Sequence, residues 1–249
     1  WESIFFRALS GSIIAVFLAM YFGFDKLKTK KPMGHAIRAF SASGCVVFYI
    51  YGINNLMLSE NIAIAHSAPI IAAFLAVPIL GERIGILRTS AILIGFIGVL
   101  IIVKPGTDLF KLESLYPLIS ACFMASVYLS TRSVMSTDSS VAIIFYYSFA
   151  LLITSLIFFP SNFIMPDINQ LTFAMSLGVM GSLGHFFMSQ AAKNADVAVT
   201  SPFEYSSFIF VGFMGFLIFA EVPTLSIYLG GIIIISTGIF IAYRERKNN

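Results

Sequence analysis

Long apolar segments separated by short polar connections make up most of the chain. Nine such segments can be drawn, at 3–22, 35–58, 61–80, 86–103, 114–134, 139–159, 170–190, 197–219 and 225–243. Each is close in length to the roughly 20 residues with which an α-helix crosses the hydrocarbon core of a bilayer. The pattern therefore predicts a single all-α integral membrane domain with nine spans.

The composition supports this prediction and argues against a soluble domain surrounded by water. Of the 249 residues, 58% are hydrophobic and 11% are charged, and the mean hydropathy is +0.92. Soluble domains carry roughly 25% charged residues, so much of this surface must face lipid. A membrane β-barrel would show segments of about 10 residues that alternate apolar and polar positions, whereas these apolar runs are continuous. The net charge of +3 is small, and nucleic acid is not an expected partner.

The distribution of lysine and arginine predicts the orientation, because these residues accumulate on cytoplasmic loops. If the first span ends in the cytoplasm, 12 of the 15 basic residues fall on that side. They are Lys26, Lys28, Lys30, Lys31, Arg38, Arg83, Arg88, Arg132, Lys193, Arg244, Arg246 and Lys247. The C-terminus is then predicted to be cytoplasmic, in a bacterial inner membrane.

Two stretches of the chain resemble each other. Glu60 to Arg83 and Asp196 to Pro223 each open with an acid, contain a proline (Pro69 or Pro202) and reach a glutamate at the end of the apolar run. Under the predicted orientation the two copies cross the membrane in opposite directions. Inverted repeats of this kind place a substrate site near the bilayer midplane, where the repeats meet. We therefore expect Pro69 and Pro202 to interrupt their helices beside that site.

Four stretches in order resemble the drug/metabolite transporter superfamily, in particular its EamA-type bacterial members. They are FFRALSG at 5–11, the SAP…LGER run at 67–83, IGFIGVLIIVKPG at 94–106 and SPFEYSS…FAEVP at 201–223. The resemblance implies ten helices in two inverted five-helix repeats, here 1–106 and 107–249. With nine spans visible, the first helix of the ten is expected to be missing before Trp1. The SPFEYSS segment is similar to that of the S-adenosylmethionine uptake branch.

Glu204 is the leading candidate for substrate binding. It lies roughly 12 Å from the predicted cytoplasmic edge, counting 1.5 Å per helical residue from Asp196. Pro202 has no amide hydrogen and would leave a carbonyl free to face a cavity. The carboxylate would bind an amine or sulfonium, or hold a coupling proton; the alternative is a structural ion pair. Tyr205 would offer a ring face to a cation or simply pack.

Four further polar residues are candidates because ionisable and polar groups inside spans are costly and usually functional. His66 would line the site or accept a proton, or it would be a satisfied core histidine. His185, which follows Gly178, Gly181 and Gly184, would contact substrate or pack at a close helix approach. Arg7 would attract a substrate carboxylate, pair with Glu2 or cap a helix end. Asn54 would be a site residue or an interfacial polar group.

The predicted function is a secondary transporter that moves a small metabolite, such as an amino acid or S-adenosylmethionine, by alternating access. It would work as a monomer or homodimer in the lipid bilayer, with protons as a candidate coupling ion. No Walker P-loop is present, and no cofactor, metal site or catalytic residue is expected. The alternatives are an exporter of drugs or other metabolites with the same fold, a membrane-embedded enzyme, or a scaffold for other membrane proteins.

Overall fold

A computed structural model describes residues 1–80, 86–104, 111–135, 137–159, 163–194 and 225–248, together with positions 210, 214, 216–218, 222 and 224. Its α-helices are α1 (Glu2–Phe22), α2 (Pro32–Asn55), α3 (Leu58–Ala65), α4 (Ala68–Leu80), α5 (Ile86–Val103), α6 (Leu115–Met135), α7 (Ser140–Ile157), α8 (Ile168–Asn194) and α9 (Leu225–Asn248). Short 3-10 helices cover Phe24–Leu27 and Leu112–Ser114. These ranges contain no β-strand.

Several of the described helices are built to cross a membrane. Five stretches are long and apolar enough: Glu2–Phe22, Pro32–Asn55, Leu112–Met135, Ser140–Ile157 and Ile168–Gln190. Large apolar side chains on such helices are exposed, for example Phe17 (61%) and Phe173 (67%). Extensive exposed apolar surface is tolerated against lipid but not in water. The predicted all-α integral membrane fold is therefore confirmed; the number of spans stays a prediction, since 197–219 lies mostly outside the described residues.

The chain divides into two compact units, and each draws on both halves of the sequence. The first unit comprises 1–43 and 130–194, and the second comprises 44–129 and 195–249. The predicted boundary between sequence repeats, at 106 and 107, lies outside the described residues. The repeat assignment therefore stays a prediction alongside this spatial division.

In the first unit, small residues bring α1 and α8 into close contact. A methyl group on Gly178 would lie 2.0 Å from Ser10 Oγ and 2.1 Å from the carbonyl oxygen of Arg7. Ser10 Oγ also donates a hydrogen bond to the carbonyl of Met175 across this contact, at 2.9 Å. Small and hydroxyl side chains are what membrane helices use to approach closely and to satisfy each other. The register of α1 on α8 is thus set by backbone contact.

In the second unit, α5 and α9 meet at a pair of glycines. A methyl group on Gly230 would lie 2.5 Å from the carbonyl oxygen of Gly98, and one on Gly98 would lie 2.9 Å from that of Gly230. Around this contact the buried core is aliphatic: Ala63, Ile64, Ile70, Ala91, Ile92, Val99, Ile102, Val103, Ile227, Ile234 and Ile241. The second unit is held at this point by van der Waals packing alone.

The segment predicted at 61–80 is interrupted. Helix α3 ends at Ala65 and α4 begins at Ala68, so Pro69 is the second residue of α4. Proline is tolerated in the first turn of a helix, because the amide hydrogens there have no partner within the helix. The amide of Ser67 donates to Ile64 O rather than four residues back. The interruption therefore falls at His66 and Ser67, directly before Pro69.

Candidate functional site

Polar side chains from three helices lie around one tyrosine inside the first unit. The Tyr147 ring lies 4.5 Å from the His185 ring, edge to face, and 5.8 Å from the guanidinium carbon of Arg38. Arg7 and Tyr147 line the same crevice. We call Arg7, Arg38, Tyr147 and His185 the Tyr147 cluster. Because α1, α2, α7 and α8 each supply one member, the cluster exists only in the folded unit.

The crevice beside Tyr147 is open and narrow. Its enclosed space is about 10 Å³, room for roughly one water molecule. Its walls come from α1, α7 and α8: Arg7, Ala8, Gly11, Tyr147, Ser148, Leu151, Gly178, Gly181 and Ser182. A ligand group larger than a water molecule would have to approach these walls from the open side of the crevice.

Arg7 reaches this crevice from α1 and is half-buried there. Gly181 leaves space for its guanidinium, since a methyl group at that position would lie 3.7 Å from Arg7 Nη2. Glu2, the partner considered from sequence, has its carboxylate 3.3 Å from the Trp1 amino group. Within the described residues, Arg7 makes no ion pair.

Arg38 is a member of the cluster that the sequence analysis missed. It was counted among cytoplasmic boundary residues, whereas α2 begins at Pro32 and the Arg38 side chain is 3% exposed. Its Nε donates to Thr131 Oγ1 at 2.8 Å and its Nη1 donates to Ile143 O at 3.4 Å. The available signal was its distance from the helix start, since six residues correspond to roughly 9 Å of depth.

The remaining predicted site residues fall into three places. His185 belongs to the cluster, half-buried on α8. His66 and Asn54 belong to the second unit: His66 Nδ1 donates to Ile62 O at 2.8 Å, at the end of α3, and Asn54 is exposed at the end of α2. Glu204, Tyr205 and Pro202 lie outside the described residues.

A second polar group, also missed from sequence, joins the 24–31 connection to the α6–α7 turn. Asp138 accepts hydrogen bonds from Thr29 Oγ1, from Thr137 Oγ1 at 2.8 Å and from the Lys30 amide at 3.2 Å. His35 Nε2 donates to the same carboxylate at 2.9 Å. Burial opposes ionisation, but these hydrogen bonds outweigh it and hold the pKa of Asp138 well below its usual range.

Apolar spanning helices enclosing a small basic crevice are the features of a membrane protein that handles a small polar solute. Nothing among the described residues groups three side chains suited to holding a metal ion. The chain belongs to the EamA-like transporter family, whose sequence pattern matches residues 1–104 and 112–244. The resemblance seen from sequence is thereby confirmed, and the protein is a multi-pass bacterial small-molecule transporter of the drug/metabolite transporter superfamily rather than an enzyme.

Curated relatives of this chain have several different substrates. An S-adenosylmethionine uptake transporter of Rickettsia conorii is 29% identical over 247 residues, covering 99% of this chain and 84% of that protein. The pseudopaline exporter CntI of Pseudomonas aeruginosa is 26% identical, covering 94% and 83%. A riboflavin transporter of Vibrio cholerae is 28% identical, covering 90% and 76%.

A solved crystal structure has the same fold. It matches with a TM-score of 0.66 over 98% of this chain and 90% of its own, at 15% sequence identity. At that identity the likeness concerns the arrangement of helices alone.

Proposed function

We propose that this transporter carries an amino-acid derivative of the S-adenosylmethionine type across the bacterial inner membrane by alternating access. The observation that carries the proposal is the Tyr147 cluster, in which two arginines and a histidine occupy the interior of apolar helices. Charged side chains in such a place are expensive and are typical of a solute pathway. The similarity to S-adenosylmethionine carriers over 99% of the chain supports this substrate class.

Residues outside the cluster are also proposed to bind the substrate. Glu204 would bind the amine or sulfonium of the substrate, with Tyr205 offering a ring face to the same cation. His66 and Asn54 would contribute further polar contacts, as would His185 within the cluster, and Pro69 and Pro202 would allow the two sequence repeats to rearrange. In the alternative role, Glu204 would instead hold a proton, which is the proposed coupling ion.

The proposal is tested by uptake and counterflow in proteoliposomes containing the purified full chain. S-adenosylmethionine, methionine and riboflavin are offered as labelled solutes, with and without a pH gradient. We expect S-adenosylmethionine to exchange across the membrane and Glu204→Gln to reduce that flux about tenfold or more, as loss of one charge-assisted hydrogen bond does. The substrate assignment fails if S-adenosylmethionine shows no exchange while riboflavin does.

A further inference from the structure

The basic side chains of the described residues differ in how their charge is balanced. Lys28 pairs with Asp25 at 2.6 Å and Lys111 with Glu60 at 3.7 Å. Arg7 and Arg38 make no such pair in this part of the chain. Among the described residues, the Tyr147 cluster therefore contains two arginines with no carboxylate beside them.

The two arginines differ in what they can reach. Arg7 lines the open crevice, where Gly181 leaves its guanidinium unobstructed. Arg38 is buried, held by Thr131 and Ile143, and touches the crevice only through the ring of Tyr147. Arg7 is thus placed to contact a ligand, and Arg38 is placed to position Tyr147 and to add positive potential.

A carboxylate is the ligand group that best fits this arrangement. A guanidinium presents planar N–H donors that match the two oxygens of a carboxylate. The low dielectric inside the helices strengthens that attraction. The crevice is open, so a carboxylate can approach the Arg7 guanidinium at its mouth. The wall hydroxyls of Ser148 and Ser182 add polar groups beside it.

We infer that Arg7 binds the carboxylate of the transported substrate and that Arg38, acting through Tyr147, is a positioning residue for the same contact. This inference rests on the proposed function, and it makes the carboxylate the feature by which the protein selects amino-acid derivatives over amines. The protein then discriminates between two molecules that differ only in a carboxyl group.

The experiment compares acids with their decarboxylated amines in counterflow: S-adenosylmethionine, histidine and phenylalanine, each against its own amine. Wild-type protein is expected to prefer at least one acid by about tenfold or more. Arg7→Gln lowers that preference to about threefold or less, whereas Arg7→Lys keeps much of it. Lys26→Gln removes one positive charge from an exposed position outside the spans and serves as the matched control.

Arg38 is tested by separating KM from kcat. Arg38→Gln is expected to raise the KM for the acid about fivefold, leave the KM for the amine unchanged and be rescued by Arg38→Lys. Folding of each variant is checked by size-exclusion chromatography in detergent.

Three outcomes would contradict the carboxylate inference, and one of them would also contradict the proposed function. Equal transport of all three acids and their amines by wild-type protein overturns the carboxylate inference and leaves the proposed function standing. Unchanged preference in Arg7→Gln overturns the inference as well. Accumulation of none of the six solutes overturns both.

Discussion

The α1–α8 contact of the first unit and the α5–α9 contact of the second both depend on glycine, yet their surroundings differ. Gly178 packs against Ser10 and the backbone of Arg7, at the edge of a crevice that contains charge. Gly230 and Gly98 pack against each other within an aliphatic core. Both units therefore use glycine to bring two helices close together.

What distinguishes the first unit is the polar chemistry beside the close approach. Arg7, Arg38 and His185 remain in an apolar setting where their cost must be offset by function or by partners. The described aliphatic core around α5 and α9 contains no ionisable side chain. The comparison predicts that substitutions near the α1–α8 contact alter substrate selectivity, while substitutions near the α5–α9 contact alter only stability.

The largest expected effect comes from filling the α1–α8 contact. Gly178→Ala would force a methyl group to within 2.1 Å of the Arg7 carbonyl oxygen, and a backbone atom cannot move aside as a side chain can. We expect a loss of about 3 kcal/mol in stability together with loss of transport. Gly184→Ala, on the same helix with nothing within 4 Å, is the matched control. Thermal unfolding in detergent measures both; equal melting temperatures would contradict the packing described.

Removing the Asp138 carboxylate charge should have the next largest effect. Asp138→Asn is expected to lower the free energy of unfolding by about 2–3 kcal/mol, because four hydrogen bonds converge on this buried carboxylate. The change should leave the preference for acids over amines intact, since the Tyr147 cluster is untouched. A melting temperature within 1 °C or so of wild type would rule out this role.

The Asp138 carboxylate also predicts how the stability of the protein changes with pH. The pKa of Asp138 is lower in the folded protein than its usual value of 3.8. Its contribution is therefore fully present above that value and is lost as the pH falls through the folded pKa. We expect the melting-temperature gap between wild type and Asp138→Asn to narrow on acidification from about pH 5 to about pH 3. A gap that widens over that range would contradict the lowered pKa.

A cavity in the aliphatic core tests the second unit. Ile234 is fully buried, and Ile234→Ala should lower the free energy of unfolding by about 2 kcal/mol. This is near the low end for such substitutions, because membrane helices that separate still face apolar lipid. Substrate preference should stay at the wild-type value in the acid-against-amine assay. If Ile234→Ala changed the preference for acids over amines without lowering stability, the α5–α9 contact would not differ from the α1–α8 contact in the way proposed.

The smallest effect is expected at the edge of the second unit. Lys111 and Glu60 form an ion pair at 3.7 Å in which the lysine side chain is half exposed. Lys111→Gln should change stability by no more than about 0.5 kcal/mol, and less in high salt. Thermal unfolding at low and high ionic strength checks this; a loss of several degrees would mean that the pair is more deeply buried than described.

The structure places two of the predicted site residues in one cluster, and their role in binding stays a prediction. Arg7 and His185 were singled out because ionisable groups are rare inside apolar segments, and both belong to the Tyr147 cluster. Arg38 was missed because the second span was drawn three residues too late, which left the arginine near a boundary. His35 and Asp138 were missed because 103 residues separate them, and no local pattern signals such a pair.

The amino-acid sequence by itself determined that this chain is helical, lies in a membrane and belongs to a transporter family. Each of these follows from local properties, since lipid selects apolar residues position by position and requires every backbone group to be satisfied within a helix. Only the tertiary structure decided that Arg7 and Arg38 have no carboxylate beside them among the described residues, and that Gly178 lies against the backbone of Arg7. Those properties depend on how each helix is rotated about its axis and how closely it packs on its neighbours. The hydropathy of the sequence predicts neither of these.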